Sequence, residues 1–177
     1  MGKIEKIKNK EDLNKLRKDI MDNLDRGVCM IQKLIDTTDS LSFFKKIKFE
    51  NAIIDVLTGE PENLAEVIDQ CQTYLVTLMG VEYLLDKHPN NEFIVNLGNV
   101  PGYDISSVDG NIIAECFATT NYRNNNKLDK DLKNLTKNMT AMHKYIFFTD
   151  FRATEKVINN ANKKYPNIEI IKFKDTK

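Results

Sequence analysis

The stretch Tyr103-Asp104-Ile105-Ser106-Ser107-Val108-Asp109-Gly110-Asn111-Ile112-Ile113-Ala114-Glu115-Cys116-Phe117-Ala118 sets two short β-type runs around an Asp-Gly pair. Asp-Gly suits the left-handed backbone of a tight turn, so the two runs are expected to pair as a hairpin. Asp104 then lies on one strand and Glu115 on the next, and the turn brings their carboxylates together. From Ile112 to Ala118 every neighbour of Glu115 is apolar, as in a buried central strand. A charge there is costly unless a metal ion, a lysine or an arginine relieves it. A plain salt bridge, or an orientation to solvent beside a sheet edge, would relieve it as well.

Working outward from the hairpin, Phe93-Ile94-Val95-Asn96-Leu97 is another β-type run, set off by Gly98-Asn99-Val100-Pro101-Gly102. Before it, Leu64, Val67, Ile68, Cys71, Leu75, Leu78, Met79 and Leu85 recur at helical spacing, and His88-Pro89-Asn90-Asn91 ends that helix. Glu82 falls on its apolar face. After the hairpin, Leu128, Leu132, Leu135 and Met139 predict a helix from Asn125 to about Met142. A strand at Lys144 to Thr149, a helix at Ala153 to Lys164 and a strand at Ile168 to Phe173 complete the pattern. A strand, a helix and a strand at such spacing imply a parallel crossover.

The first third reads differently. Leu13, Leu16, Ile20, Leu24, Val28, Ile31 and Ile35 form one stripe at intervals of three and four, which predicts a long helix over about residues 10 to 36. Leu41 to Leu57 reads as helical again, with Phe49 to Val56 open to another reading, before Thr58-Gly59-Glu60-Pro61 punctuates the chain. The expected architecture is α/β: a central mixed β-sheet flanked by helices over residues 61–177, with a helical extension over residues 1–60. The extension's stripe could pair two copies as a homodimer or pack on the core.

The 177 residues suffice for one well-filled core and an appendage. Lys plus Arg (26) equals Asp plus Glu (26), so no global positive field advertises a nucleic-acid partner, and any such contact needs a local patch. Cys29, Cys71 and Cys116 form no CxxC pair, and only His88 and His143 could complete a zinc site, which argues against structural zinc. That cysteine usage suits a reducing compartment. The start lacks an apolar secretion-signal core, and no run approaches the roughly 18 apolar residues of a membrane span. A cytoplasmic protein without membrane contact is expected.

Pro101-Gly102-Tyr103-Asp104, a turn, and then Ala114-Glu115-Cys116-Phe117 within a strand followed by a helix resemble the PD-(D/E)XK, or restriction-endonuclease-like, nuclease superfamily. The resemblance covers about residues 62–173 in the order helix, three strands, helix, strand. It implies a metal-dependent endonuclease that hydrolyses phosphodiester bonds, with DNA as the nucleic-acid partner. It also implies Mg²⁺ or Mn²⁺ as cofactor, Asp104 and Glu115 as ligands, and Glu82 as an additional helical carboxylate. Phe117 stands where the family pattern has a lysine that orients or activates the attacking water. Related sites carry that lysine on the following helix, where Lys127 is placed to reach back. A nuclease-fold module that binds nucleic acid or protein without cutting is the alternative.

Between Thr119 and Lys127, Asn121, Tyr122 and Arg123 could face a substrate by hydrogen bonding, stacking and phosphate neutralisation. A strand-to-helix connector capped by Asn is the plainer reading. Lys130, Lys133 and Lys137, interrupted by Asp129 and Asp131, read as a solvated helix face. The sequence contains no GxGxxG, Walker-type phosphate loop or GxSxG elbow, and Cys116 has no neighbouring base.

Overall fold

The computed structural model describes residues 2–98, 101–119, 126–150 and 153–174. In chain order the elements are β1 (Lys3–Ile7), α1 (Lys10–Thr37), α2 (Ser40–Phe49), β2 (Ile53–Ile54), β3 (Pro61–Glu62), α3 (Leu64–Lys87) and β4 (Phe93–Leu97). They continue with β5 (Ile105–Ser107), β6 (Ile112–Thr119), α4 (Lys127–Lys137), β7 (His143–Asp150), α5 (Glu155–Lys164) and β8 (Glu169–Lys172). Among the described residues, no helix is long and apolar enough to cross a membrane.

The main sheet has six strands in the order β1-β4-β5-β6-β7-β8. Its first half is antiparallel, because β4, β5 and β6 are joined by short turns; its second half is parallel, because α4 and α5 carry the chain back between β6, β7 and β8. This is the mixed α/β sheet expected. The Asp109-Gly110 turn also forms as expected: Gly110 has φ +74, its N–H donates to the Ser107 carbonyl at 2.9 Å, and Asp109 accepts from the Ser107 hydroxyl.

Alternation along β6 and β7 divides the core into two layers. Ala114, Cys116, Tyr145 and Phe147 pack with α1 and α3, whereas Ile113, Phe117, Ile146 and Phe148 pack with Leu128, Leu132 and Leu135 of α4. The α3 backbone comes very close to the sheet at Gly80, where a methyl group would lie 2.7 Å from Phe147 Cδ2. Strand β6, covered on both faces, is the centre of the fold.

Two expectations change. Residues 1–60 are not an appendage to a finished core: Lys3–Ile7 supplies an edge strand paired with β4, and Leu13, Leu16 and Ile20 are buried with α3 and the sheet. The reason is that β4 would otherwise end the sheet with an unpaired ladder, which β1 closes. The segment after α2 is not helical either; Ile53–Ile54 and Pro61–Glu62 make a small hairpin, with the Asp55 carboxylate accepting from the Leu57 and Thr58 N–H groups in its turn.

Candidate active site

The short strand β5 places the first acid. Its register with β6 pairs Ile105 with Ala114 and Ser106 with Ile113, so Asp104, one residue before the strand, falls beside Glu115. There β5 has run out of ladder, and the Asp104 side chain takes over: its Oδ2 accepts the Cys116 backbone N–H at 2.6 Å. The preceding turn is fixed by Gly102 at φ +124 and by Asn96 Nδ2, which donates to the Tyr103 carbonyl at 2.8 Å. A Cβ on Gly102 would stand 3.0 Å from that same nitrogen.

Glu115 is buried, and alternation turns it to the α4 side of the sheet, where its Oε1 accepts from Asn134 Nδ2 at 2.5 Å. Burial first, and the Asp104 charge second, push the Glu115 carboxyl up to about 8. Asp104 is also raised, by burial above all, while the Cys116 N–H, Lys127 and a hydrogen-bonding interaction with Glu115 pull the other way. With its carboxyl raised to about 8 beside the half-buried Asp104, Glu115 keeps its proton near neutral pH.

A cation stands beside them. Lys127, in the first turn of α4, donates to Asp131 Oδ1 at 3.0 Å. Burial works against its charge, but Asp131, Asp104 and Glu115 together outweigh that and raise its pKa, so it stays an ammonium. Asp131 is buried, its Oδ2 has no hydrogen-bond partner among the described residues, and burial raises it to about 6 despite Lys127. Lys127, Asp131 and Asn134 thus form a polar row at i, i+4 and i+7, running beside the buried row Leu128, Leu132 and Leu135.

Asp104 and Lys127 line a cavity of about 430 Å³, together with Phe117 and Thr119 at the end of β6 and the first turns of α3. From α3 come Glu66, Asp69 and Gln70, whose buried Oε1 lacks a hydrogen-bond partner among the described residues. Glu115, turned toward α4, is not part of the cavity wall.

The sequence-derived residues divide accordingly. Asp104, Glu115 and Lys127 come together. Glu82 does not: it faces α1, where its Oε2 accepts from Arg17 Nη2 at 2.8 Å, and it neither lines the cavity nor contributes to the shifts of the pair. Asn121, Tyr122 and Arg123 lie outside the described residues. Phe117 is buried and stacked on Phe148, with ring centroids 5.1 Å apart. Asn134 and Asp131 were not anticipated; their helical spacing next to the leucine row was the available signal, and Asp131 is no member of a solvated face.

As a cation site the pair is lean. Among the described residues no group of three or more His, Cys, Asp or Glu side chains comes together as a metal site. Two carboxylates suit Mg²⁺, which keeps several waters and commonly takes one or two protein carboxylates. Compared with models of protein families, with curated proteins and with solved structures, the chain matches none.

Proposed function

We propose that this chain is a metal-dependent endonuclease of the PD-(D/E)XK, restriction-endonuclease-like type, hydrolysing phosphodiester bonds in DNA. One observation carries the reading: the buried Glu115 carboxyl of β6 and the half-buried Asp104 carboxyl just before β5 share their surroundings with an ammonium group held at the start of the following helix. The order helix, three strands, helix, strand from α3 to β7 supports it, as that is the order the resemblance implies.

Asp104 and Glu115 would hold Mg²⁺ or Mn²⁺, which supplies Lewis acidity toward the phosphodiester. Asn134 orients Glu115 through its hydrogen bond, and the Cys116 N–H fixes Asp104. Lys127 lines the cavity and, held by Asp131, can donate a hydrogen bond to a water or to a phosphate oxygen. It takes the role that Phe117, an apolar side chain stacked on Phe148, cannot. The three cysteines are free, which fits a cytoplasmic setting.

A cleavage assay on plasmid DNA and on RNA, with Mg²⁺ or Mn²⁺, tests the proposal by comparing the wild type with Glu115→Ala. Metal-dependent cutting by the wild type alone is expected, with DNA preferred. No cutting with either metal would overturn the enzyme reading and leave the alternative of a fold that binds without chemistry.

A further inference from the structure

We infer that the outer faces of α4 and α5 together form a surface that holds a nucleic-acid backbone by its phosphates and leads it away from the cavity at Lys127. The inference rests on the nucleic-acid part of the nuclease reading. Charge is balanced over the whole chain but divided along it. Residues 1–118 hold 13 Lys and Arg against 20 Asp and Glu, whereas residues 119–177 hold 13 against 6. The neutral total conceals a basic final third.

The fold gathers that excess on one side of the sheet. Leu128, Leu132 and Leu135 of α4 and Val157, Ile158 and Ala161 of α5 pack into the same core layer, so both helices turn their polar faces outward together. On α4, Lys130, Lys133 and Lys137 stand at i, i+3 and i+7; on α5, Lys156, Asn159 and Lys163 repeat that spacing, and all six are exposed. Asp131, which interrupts the lysines in the sequence, is buried and bonded to Lys127. The exposed acids of the two helices, Asp129 and Glu155, lie in first turns, where the helix macrodipole favours them. Lys156 lies in the first turn of α5 against that same dipole.

Two observations select phosphates as the occupant. Among the described residues, six of the seven ion pairs use cations between Lys3 and Lys87, and none engages Lys130, Lys133, Lys137, Lys156 or Lys163. The surface also lacks apolar anchors: its exposed groups beside the lysines are amides such as Asn159 and Asn160, and the exposed Met139 and Met142 lie past the end of α4. A protein partner would centre on aromatic or aliphatic residues, whereas a sugar–phosphate backbone is held by Lys and Asn side chains. From Lys127, which lines the cavity, to Lys137 the row climbs about 15 Å along α4 at 1.5 Å per residue, so a strand entering the cavity meets it directly.

Fluorescence anisotropy of a labelled DNA duplex of about 30 base pairs, with the full chain in EDTA, reads binding apart from cleavage. The wild type is expected to bind with a Kd below about 10 µM at about 0.1 M salt. Lys130→Glu with Lys133→Glu and Lys137→Glu should weaken binding by about tenfold or more and flatten the slope of log K against log salt by about 3; Lys156→Glu with Lys163→Glu should flatten it by about 2. Lys33→Glu with Lys45→Glu and Lys48→Glu, an equal change of charge on α1 and α2, should alter the affinity by less than about threefold. Circular dichroism checks folding, and Lys→Gln replacements stand in for any variant that unfolds. The inference is overturned by a wild type that leaves the duplex unbound at about 0.1 mM, by an α4 variant that binds as the wild type does, or by an α1 and α2 variant that loses as much. Labelled poly-L-glutamate held more tightly than the duplex would overturn it in favour of an acidic protein partner. Lysine-dependent binding in EDTA without Mg²⁺-dependent cutting upholds this surface and overturns the nuclease; cutting indifferent to both lysine rows does the reverse.

Discussion

The Cys116 backbone N–H donates to Asp104 Oδ2 at 2.6 Å, so the acid that precedes β5 is tied to the residue that follows the acid of β6. The bond replaces a missing rung of the ladder and gives Asp104 a structural duty as well as a chemical one. Asp104→Asn keeps an acceptor oxygen for that N–H, whereas Asp104→Ala leaves it buried and unpaired, which costs about 1–3 kcal/mol. Thermal melts should therefore rank Ala clearly below Asn in stability, with both lacking metal-dependent cleavage. Equal melting temperatures for the two variants would show that the bond carries no weight.

The same pair makes stability depend on pH. Glu115 rises from an ordinary 4.5 to about 8 in the fold, because of burial and then of Asp104. Between those values the folded chain holds a proton that the unfolded chain has released, so stability falls as pH rises. The contribution is whole below 4.5 and gone above about 8. Asp131, raised from 3.8 to about 6, acts with the same sign in a lower window. Metal-free protein should melt at lower temperature at pH 8.5 than at pH 6, and Glu115→Gln should flatten the upper part of that slope. Calorimetry should show Mg²⁺ affinity rising over the same interval, since the cation must displace the proton.

How much of this could be read from residues alone depends on how local the determining contacts are. The hairpin was legible because Asp109-Gly110 dictates its own turn, and α1 and α3 because their periodicity is long. Strand β1 was not: Lys3-Ile4-Glu5-Lys6-Ile7 is charged like an edge strand, and its partner β4 lies far along the chain. Glu82 was misplaced for a related reason. An apolar face says that a helix is buried, not which neighbour each of its residues meets. The cavity wall reaches along α3 as far as Thr77, and Glu82, five residues on, points about 140° away from it around the helix, toward Arg17 of α1. Lys127 could be found because its role required only the start of the helix after β6. Asp131 and Asn134 needed the face of that helix to be known.

Packing of α3 on the sheet supplies a prediction independent of chemistry. A Cβ at position 80 would lie 2.7 Å from Phe147 Cδ2, 3.0 Å from its Cγ and 3.2 Å from Ile105 Cδ1. The Phe147 ring is itself stacked between Tyr145 and Phe173 and has nowhere to move. Gly80→Ala, though it favours helix, should lower stability by about 1–3 kcal/mol through overpacking. Chemical denaturation would measure it; a stabilised variant would mean that α3 can lift from the sheet without cost.

Lys127 carries the last prediction, because the proposed chemistry needs one ammonium group and the sheet denies it the usual strand position. Lys127→Met should lower the cleavage rate by about 10²–10⁴, the range for a positioned proton-transfer or water-orienting group, while metal binding at Asp104 and Glu115 persists. Asp131→Asn should weaken the same step less, by removing the tether rather than the donor. Moving the lysine back, as Phe117→Lys in a Lys127→Met background, should not rescue the rate. Phe117 is packed against Phe148, Leu128 and Leu132, so an ammonium there would be buried among apolar side chains and should cost about 3 kcal/mol or more. Rates measured beside melting temperatures separate the outcomes. A folded Phe117→Lys, Lys127→Met protein that cuts DNA at the wild-type rate would show that the strand position remains open and that α4 does not own the lysine.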